Sequence, residues 1–202
     1  MVAPLLPVFI TRTRGKETEP GPRARYFPNA VVRTQDNQKV RFYDDLIKGR
    51  IVVINFFYAQ CEKLCPRQTA NLVKVQKLLG DRVGRDIFMY SITLDPKHDT
   101  PEVLKHYADT HGAKPGWWFL TGAPGDIELL RHKLGFVDPD PVVDADKSQH
   151  IGMMLFGNEA LDRWAACPCL AHPQWMVTSI LWMEKPKEAD TPVGQLAHSG
   201  RV

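Results

Sequence analysis

Cysteine is scarce in this chain, and its scarcity narrows the class of protein. Only four cysteines occur among 202 residues. Small secreted domains that depend on disulfides carry cysteine at a much higher frequency, so a disulfide-rich scaffold is excluded. Four thiols are enough for one reactive pair or one metal site, but their number alone does not fix the redox compartment.

Long apolar runs and blocks of positive charge are also absent. No stretch of about 18 consecutive apolar residues occurs, which argues against a membrane-spanning helix. Lys and Arg total 26 against 23 Asp and Glu, so the formal net charge is only +3. Without a dense basic patch, binding to nucleic acid is not expected. The hydrophobic fraction of 44% is ordinary for a globular domain with a sizeable core.

The two ends of the chain lack periodic patterns. The opening ten residues, MVAPLLPVFI, are apolar but short, contain two prolines and follow no basic region, so they make a poor signal peptide or anchor. We expect a flexible N-terminal arm over residues 1–26, a folded domain over 27–184 and a flexible tail over 185–202. Membrane association would then require a leader or anchor that this sequence lacks.

The most informative stretch is residues 50–71, R-IVVINFFYAQ-CEKLCP-RQTAN. Residues 51–58 form a dense β-branched and aromatic run, which is typical of a strand buried on both faces of an α/β sheet. Apolar residues then recur at helical spacing over residues 67–79. Cys61 and Cys65 therefore lie where a buried strand ends and a helix begins.

The position of Cys61 and Cys65 favours reactive thiolates. Backbone N–H groups and the dipole at a helix N-terminus stabilise a thiolate, so the pKa of a cysteine there should be lowered. If residues 61–65 form a helical turn, their i, i+4 spacing puts both sulfur atoms on one face. They can then close a disulfide or hold one soft metal ion. The alternative interpretation is that both are small buried residues of the core.

Elsewhere the pattern alternates between strands and helices. Polar residues 35–38 separate two short apolar runs, which predicts an N-terminal hairpin. Because a helix separates the strand at 51–58 from the next, at 87–94, these two strands should pair in parallel. The remaining predicted segments are a helical turn at 44–49, a helix that starts with an Asp99/Glu102 capping pair and ends near Gly112, a strand at 117–122, a helix at 126–134, a long loop at 136–148, strands at 149–156 and 161–164, and a helix at 173–184.

This order of elements, with four local motifs, resembles the Sco (SenC) family of copper-binding thioredoxin-like proteins. The motifs are F-x-Y-x-x-C-x-x-x-C-P at 56–66, I-T-L-D-P-x-x-D-T-P at 92–101, W-x-F-L-T-G at 117–122, and His150 at the start of a late strand. The resemblance covers roughly residues 27–164. It implies an α/β, thioredoxin-like fold with an N-terminal hairpin and a C-terminal extension.

The resemblance also implies a ligand set and a function. Cys61, Cys65 and His150 would bind one copper ion, as Cu(I), Cu(II) or both. The protein would deliver copper to the binuclear copper centre of cytochrome c oxidase, or keep the thiols of that centre reduced. Its partners would be the copper-bearing subunit of the oxidase and other copper or thiol-redox proteins. A periplasmic or membrane-tethered extracytoplasmic location follows from the same resemblance.

The residue chemistry leaves other functions open. A dithiol alone serves disulfide exchange, whereas an added imidazole favours a metal, so we expect a metallochaperone without turnover of its own. The main alternative is a thiol–disulfide oxidoreductase in which Cys61 attacks and Cys65 resolves. A thiol peroxidase is less favoured, because residues 58–60 place no Ser or Thr shortly before Cys61.

Two further groups of residues remain open to interpretation. Asp95 could accept hydrogen bonds beside the metal-binding loop, or it could close a loop. We favour the loop-closing role, with Asp99 as the N-cap of the following helix. The segment Cys167-Pro168-Cys169, followed by His172, departs from the family. It fits a second soft-metal site, a resolving pair for Cys61 and Cys65, or neither. Alternate cysteines pair poorly with each other, so we expect this pair not to be catalytic.

Overall fold

The computed structural model of the protein describes residues 23–147 and 152–184. Residues 1–22 of the expected arm and all of the expected tail therefore lie outside the described residues. His150, the predicted histidine ligand, also lies outside them. In the described part, no helix is long and apolar enough to cross a membrane.

The described residues form one mixed sheet of seven strands in the order β2-β1-β5-β4-β3-β6-β7. The three central strands, β3, β4 and β5, run parallel, as predicted for the first two, and all other neighbours are antiparallel. The strands are β1 Val31–Thr34, β2 Lys39–Arg41, β3 Ile51–Phe57, β4 Ile87–Thr93, β5 Trp117–Gly122, β6 Met153–Asn158 and β7 Arg163–Pro168.

Helices cover both faces of this sheet. They are α1 Leu64–Leu79, α2 Pro101–His111, α3 Pro124–Lys133, α4 Pro141–Ala145 and α5 Pro173–Leu181, with a wide helical turn at Phe42–Ile47. α1, α2 and α5 pack on one face, where side chains such as Val53 and Phe57 are buried. The wide turn and α3 pack on the other face, over Val52, Ile54 and Phe56. β3 thus contributes to both halves of the core, as its apolar composition predicted.

Several predicted boundaries differ from the structure. α1 begins at Leu64 rather than at Arg67, and α4 interrupts the predicted loop at 136–148. β6 begins at Met153, with residues 149–151 of the predicted strand outside the described residues, and β7 covers Arg163–Pro168 rather than residues 161–164. Each difference lies at a segment end or in a Pro- and Asp-rich stretch, where hydrophobic spacing carries little information.

The predicted helix cap at Asp99 is wrong. The cap of α2 is Thr100, whose hydroxyl accepts a hydrogen bond from the Val103 N–H, and Pro101 occupies the first helical turn. Both Asp and Thr are good caps, so the sequence did not distinguish these neighbours. The Asp99 side chain is directed away from the helix and into the protein, where it has another role.

Candidate metal and thiol site

Cys61 and Cys65 lie side by side at the carboxyl end of the central strand β3. Cys65 is in the first turn of α1, whereas Cys61 is in the loop before it, so residues 61–65 do not form the helical turn that the spacing suggested. The sulfur atoms are nevertheless adjacent, because the Cys65 N–H donates a hydrogen bond of 3.3 Å to Cys61 Sγ. Both residues are reduced cysteines that form no disulfide. The pair can close a disulfide or present two sulfur ligands to one ion.

The two thiols differ in acidity because their surroundings differ. Burial opposes ionisation of Cys61, but hydrogen bonds from Cys65 and from the backbone N–H groups of Lys63 and Leu64 outweigh it and lower its pKa. Burial and the hydrogen bond to Cys61 instead raise the pKa of Cys65 well above its ordinary value. The helix N-terminus therefore stabilises the thiolate of the cysteine in front of it, and the cysteine inside the first turn remains protonated.

Asp99 connects the cysteine loop to strand β4. Its carboxylate accepts a hydrogen bond of 3.1 Å from the Ala59 N–H and a short one from the Thr93 hydroxyl. The side chain is 1% exposed, and burial raises its pKa. Its negative charge contributes to the raised pKa of Cys65. Asp99 thus fixes the backbone two residues before Cys61 and disfavours ionisation of Cys65.

Asp95 occupies a more exposed position on the same side of the molecule. Its carboxylate pairs with His98 Nδ1 at 2.8 Å and with Lys147 Nζ at 2.9 Å. These contacts close the loop after β4 and join it to Lys147, the last described residue before residues 148–151. The favoured loop-closing role of Asp95 agrees with this geometry, and His98 is exposed beside it.

Two tyrosines near the thiols were not identified from the sequence. The Tyr58 hydroxyl hydrogen-bonds to the Cys61 side chain, and burial together with that bond raises the pKa of Tyr58 to about 12. The Tyr107 hydroxyl, on α2, lies 2.9 Å from the hydroxyl of Thr69. Thr69 is one helical turn after Cys65 on α1. Tyr58 belongs to the F-x-Y-x-x-C motif, but the motif did not indicate that its hydroxyl contacts Cys61, and Tyr107 is brought near Cys65 only by the tertiary fold.

Cys167 and Cys169 lie in the core beneath α5. They are 2% and 0% exposed. Burial raises the pKa of Cys167 to about 11 and raises that of Cys169 further. Buried thiols with raised pKa values are poor nucleophiles, which agrees with the expectation that this pair is not catalytic. His172 is exposed and immediately precedes α5.

A second cluster of potential ligands lies on the opposite face of the sheet. Glu128, His132 and Asp144 bring ligand atoms within 4.8 Å of one another. Arg131 occupies the space between the carboxylates, with ion pairs of 2.6 Å to Glu128 and 2.5 Å to Asp144. A cation already neutralises the acidic groups, so the cluster joins α3 to α4 rather than presenting a metal site.

Comparison with known sequences gives one family. The sequence model of SCO1/SenC matches residues 32–159. The chain is 32% identical over 91 residues to the SCO1 protein homolog of Bacillus subtilis, which is 45% of this chain and 46% of that protein. It is 28% identical over 128 residues to the putative copper-binding protein of Stutzerimonas stutzeri, covering 63% and 59% of the two chains. The chain thus spans about half the length of the curated relatives it matches.

Solved structures of the same family share this fold. The SCO1/SenC family lipoprotein of Bacillus anthracis superposes with a TM-score of 0.64 at 21% identity, covering 78% of this chain and 94% of the other. Bradyrhizobium japonicum ScoI, solved with copper bound, superposes with a TM-score of 0.62 at 20% identity, covering 76% of this chain and 96% of the other. The predicted α/β, thioredoxin-like fold is therefore confirmed.

Proposed function

The chain belongs to the SCO1/SenC family, and on that basis we propose that it binds one copper ion through Cys61, Cys65 and His150. The observation that carries the proposal is the hydrogen bond between the Cys65 N–H and Cys61 Sγ, which holds the two sulfur atoms together at the end of β3. Two thiolates suit Cu(I), and an added imidazole extends the set to Cu(II). A Cβ built at Gly152, two residues after His150, would lie 3.1 Å from Leu64 Cδ2 at the start of α1, so the chain just after His150 runs beside the cysteine helix. This proximity supports His150 as a ligand at the same loop.

The residues around the thiols would prepare the site for the ion. Cys61, with its lowered pKa, gives up its proton to a metal ion more readily than Cys65 does. Cys65 releases its proton on binding, because a metal ligand must be deprotonated. Asp99 holds the backbone at Ala59, and the Tyr58 hydroxyl donates to the Cys61 sulfur. Copper bound here would be redox-active and could transfer to the thiolate ligands of another protein.

We further propose that the protein serves assembly of cytochrome c oxidase. It would deliver copper to the binuclear copper centre or maintain the thiols of that centre, with the copper-bearing subunit as its partner. BsSco, a solved structure that shares this fold, has a disulfide switch and is a member of the Sco family of cytochrome c oxidase assembly proteins. The relative from Bacillus anthracis is a lipoprotein. These relatives support an extracytoplasmic, membrane-tethered location for this protein.

Thiol–disulfide exchange is a second function that the asymmetric thiols favour. The Cys61 thiolate would attack a partner disulfide and form a mixed disulfide, releasing one partner thiolate. Cys65 would then lose its proton, attack Cys61 and release the second partner thiolate. The partner gains two electrons and, after protonation, two thiols, while Cys61 and Cys65 become a disulfide. The same reduced pair serves metal binding, so the two functions can coexist.

A copper titration of the reduced protein distinguishes these functions. Wild type should bind Cu(II) with a thiolate-to-copper absorption band that Cys61→Ser abolishes and His150→Ala weakens. His98→Ala is the matched control, because His98 is also a histidine near the site but pairs with Asp95. If wild type bound no Cu(II) and yet reduced a model disulfide, the oxidoreductase function would replace the copper function. Equal Cu(II) affinity in wild type and His150→Ala would remove His150 from the ligand set.

A further inference from the structure

Four sulfur-bearing side chains are buried around β6, β7 and α5, in the same half of the core as Cys61 and Cys65. They form a buried sulfur cluster, each at most 2% exposed, made of Met154, Cys167, Cys169 and Met176. Met154 and Cys167 are register partners on neighbouring antiparallel strands, which places their side chains directly opposite each other. The cluster therefore brings one thiol and one thioether together through strand pairing alone.

Cys169 in the turn after β7 and Met176 on α5 add the other two sulfur atoms. Burial alternates from Ala166 to Leu170, so that Cys167 and Cys169 point inward while Pro168 between them is exposed. Asn71 on α1 donates hydrogen bonds of 2.8 Å to the Cys169 and Ala171 carbonyls. The same amide nitrogen lies 3.6 Å from Met176 Sδ, which places this thioether beside the Cys169 backbone.

A polar side chain without a hydrogen-bond partner among the described residues is linked to the cluster through Gly152. Gln68 is 1% exposed, and neither its Oε1 nor its Nε2 has a hydrogen-bond partner among the described residues. It packs against Gly152, where an added Cβ would lie only 2.6 Å from Gln68 Nε2. The Gly152 carbonyl in turn accepts the Cys169 N–H at 2.9 Å. A buried amide without partners is costly, so a polar or charged occupant nearby would relieve it.

We propose that the sulfur cluster is a second binding site for a soft monovalent metal ion, Cu(I), with Cys167 and Cys169 as thiolates and Met154 and Met176 as thioethers. The α-carbons of residues two apart are at most about 7 Å apart, and two metal–sulfur bonds of about 2.3 Å span about 4.6 Å, which side-chain rotation can accommodate. Binding replaces two thiol protons, which pass to solvent, and no electron is transferred. The site requires neither Cys61 nor Cys65.

The cluster can also pack as ordinary core, since cysteine and methionine fill apolar space well. A metal site would still bind Cu(I) after Cys61 and Cys65 are substituted, whereas an ordinary core would not. The experiment is a Cu(I) titration of the full chain, in competition with a chromophoric Cu(I) chelator, under anaerobic reducing conditions. The protein carries Cys61→Ser and Cys65→Ser together, so that the proposed primary site is removed.

This double variant should bind one Cu(I) per chain, and the further substitutions Cys167→Ala and Cys169→Ala should abolish that binding. The apparent affinity should fall about a hundredfold per pH unit on acidification, because two protons compete with the ion. No Cu(I) bound by the folded double variant, or an affinity independent of pH, would overturn the proposal. Failure here leaves the copper function of Cys61 untouched, because wild type is titrated alongside.

The variant with all four cysteines substituted could fail to fold, so an NMR measurement on the Cys61→Ser, Cys65→Ser protein provides a second test. With methyl-labelled methionine in the Cys61→Ser, Cys65→Ser protein, Cu(I) should shift the Met154 and Met176 signals. The matched control is Met89, a buried methionine on β4 that is not part of the cluster. Unmoved Met154 and Met176 signals at full Cu(I) occupancy would place the ion elsewhere and refute the site.

Discussion

At the scale of single residues, the most consequential difference is between the two cysteines of the proposed primary site. We expect iodoacetamide to modify Cys61 at least tenfold faster than Cys65 at neutral pH, because the Cys61 pKa is lowered and that of Cys65 is raised. Peptide mapping by mass spectrometry after short labelling measures both rates. The Cys65→Ser variant should keep a fast-reacting thiol, whereas Cys61→Ser should lose it. Faster labelling of Cys65 would contradict the assignment of roles.

Asp99 and Thr100 are neighbours that the structure assigns to different roles. Thr100→Ala should lower the free energy of unfolding by about 1 kcal/mol through loss of the α2 cap and leave thiol reactivity unchanged.

Asp99→Asn should instead lower the Cys65 pKa, because it removes a nearby buried negative charge. The pH dependence of Cys65 alkylation in the Cys61→Ser background measures this shift. An unchanged pH dependence of Cys65 alkylation in Asp99→Asn would show that the charge of Asp99 does not affect the Cys65 pKa.

At the scale of secondary-structure elements, hydrophobic spacing predicted the central strands and most helices. β3 and β4 are continuous apolar runs, and such runs have few alternatives in a chain of this size. The spacing placed Cys61 and Cys65 together but did not show that α1 starts between them, because residues 62–64 carry no apolar pattern. The contacts of Asp99 with Ala59 and of Gln68 with Gly152 were not predictable, since they join residues far apart in the sequence.

Asn71 on α1 holds the segment that leads into α5. Asn71→Ala should lower the free energy of unfolding by about 1–3 kcal/mol, because the partly buried carbonyls of Cys169 and Ala171 would lose their donor. Lys74→Ala, an exposed position on the same helix, is the matched control and should change stability by no more than about 0.5 kcal/mol. Urea unfolding followed by circular dichroism compares the two. Equal effects would show that Asn71 does not connect these helices.

At the scale of the whole molecule, the buried thiols connect stability to pH. Cys65, Cys167 and Cys169 have raised pKa values in the folded state, so above their ordinary value near 9 the unfolded chain loses protons that the folded chain retains. Stability is therefore fully present below pH 9 and falls as pH rises. Cys61 has the opposite sign, but its stabilising contribution is complete once pH exceeds the unfolded thiol pKa, so it adds no slope in that range.

We therefore expect the metal-free, reduced protein to lose stability between pH 9 and 10, at a slope approaching about 4 kcal/mol per pH unit if all three thiols contribute. Keeping to this range limits the contribution of buried tyrosines, which ionise at higher pH. Urea unfolding with a reductant and a chelator at closely spaced pH values gives the slope. Cys167→Ala should reduce it by about a third, because one of the three protons no longer differs between the states. A flat profile, or a slope unchanged in Cys167→Ala, would show that these thiols already exchange protons with solvent in the folded protein.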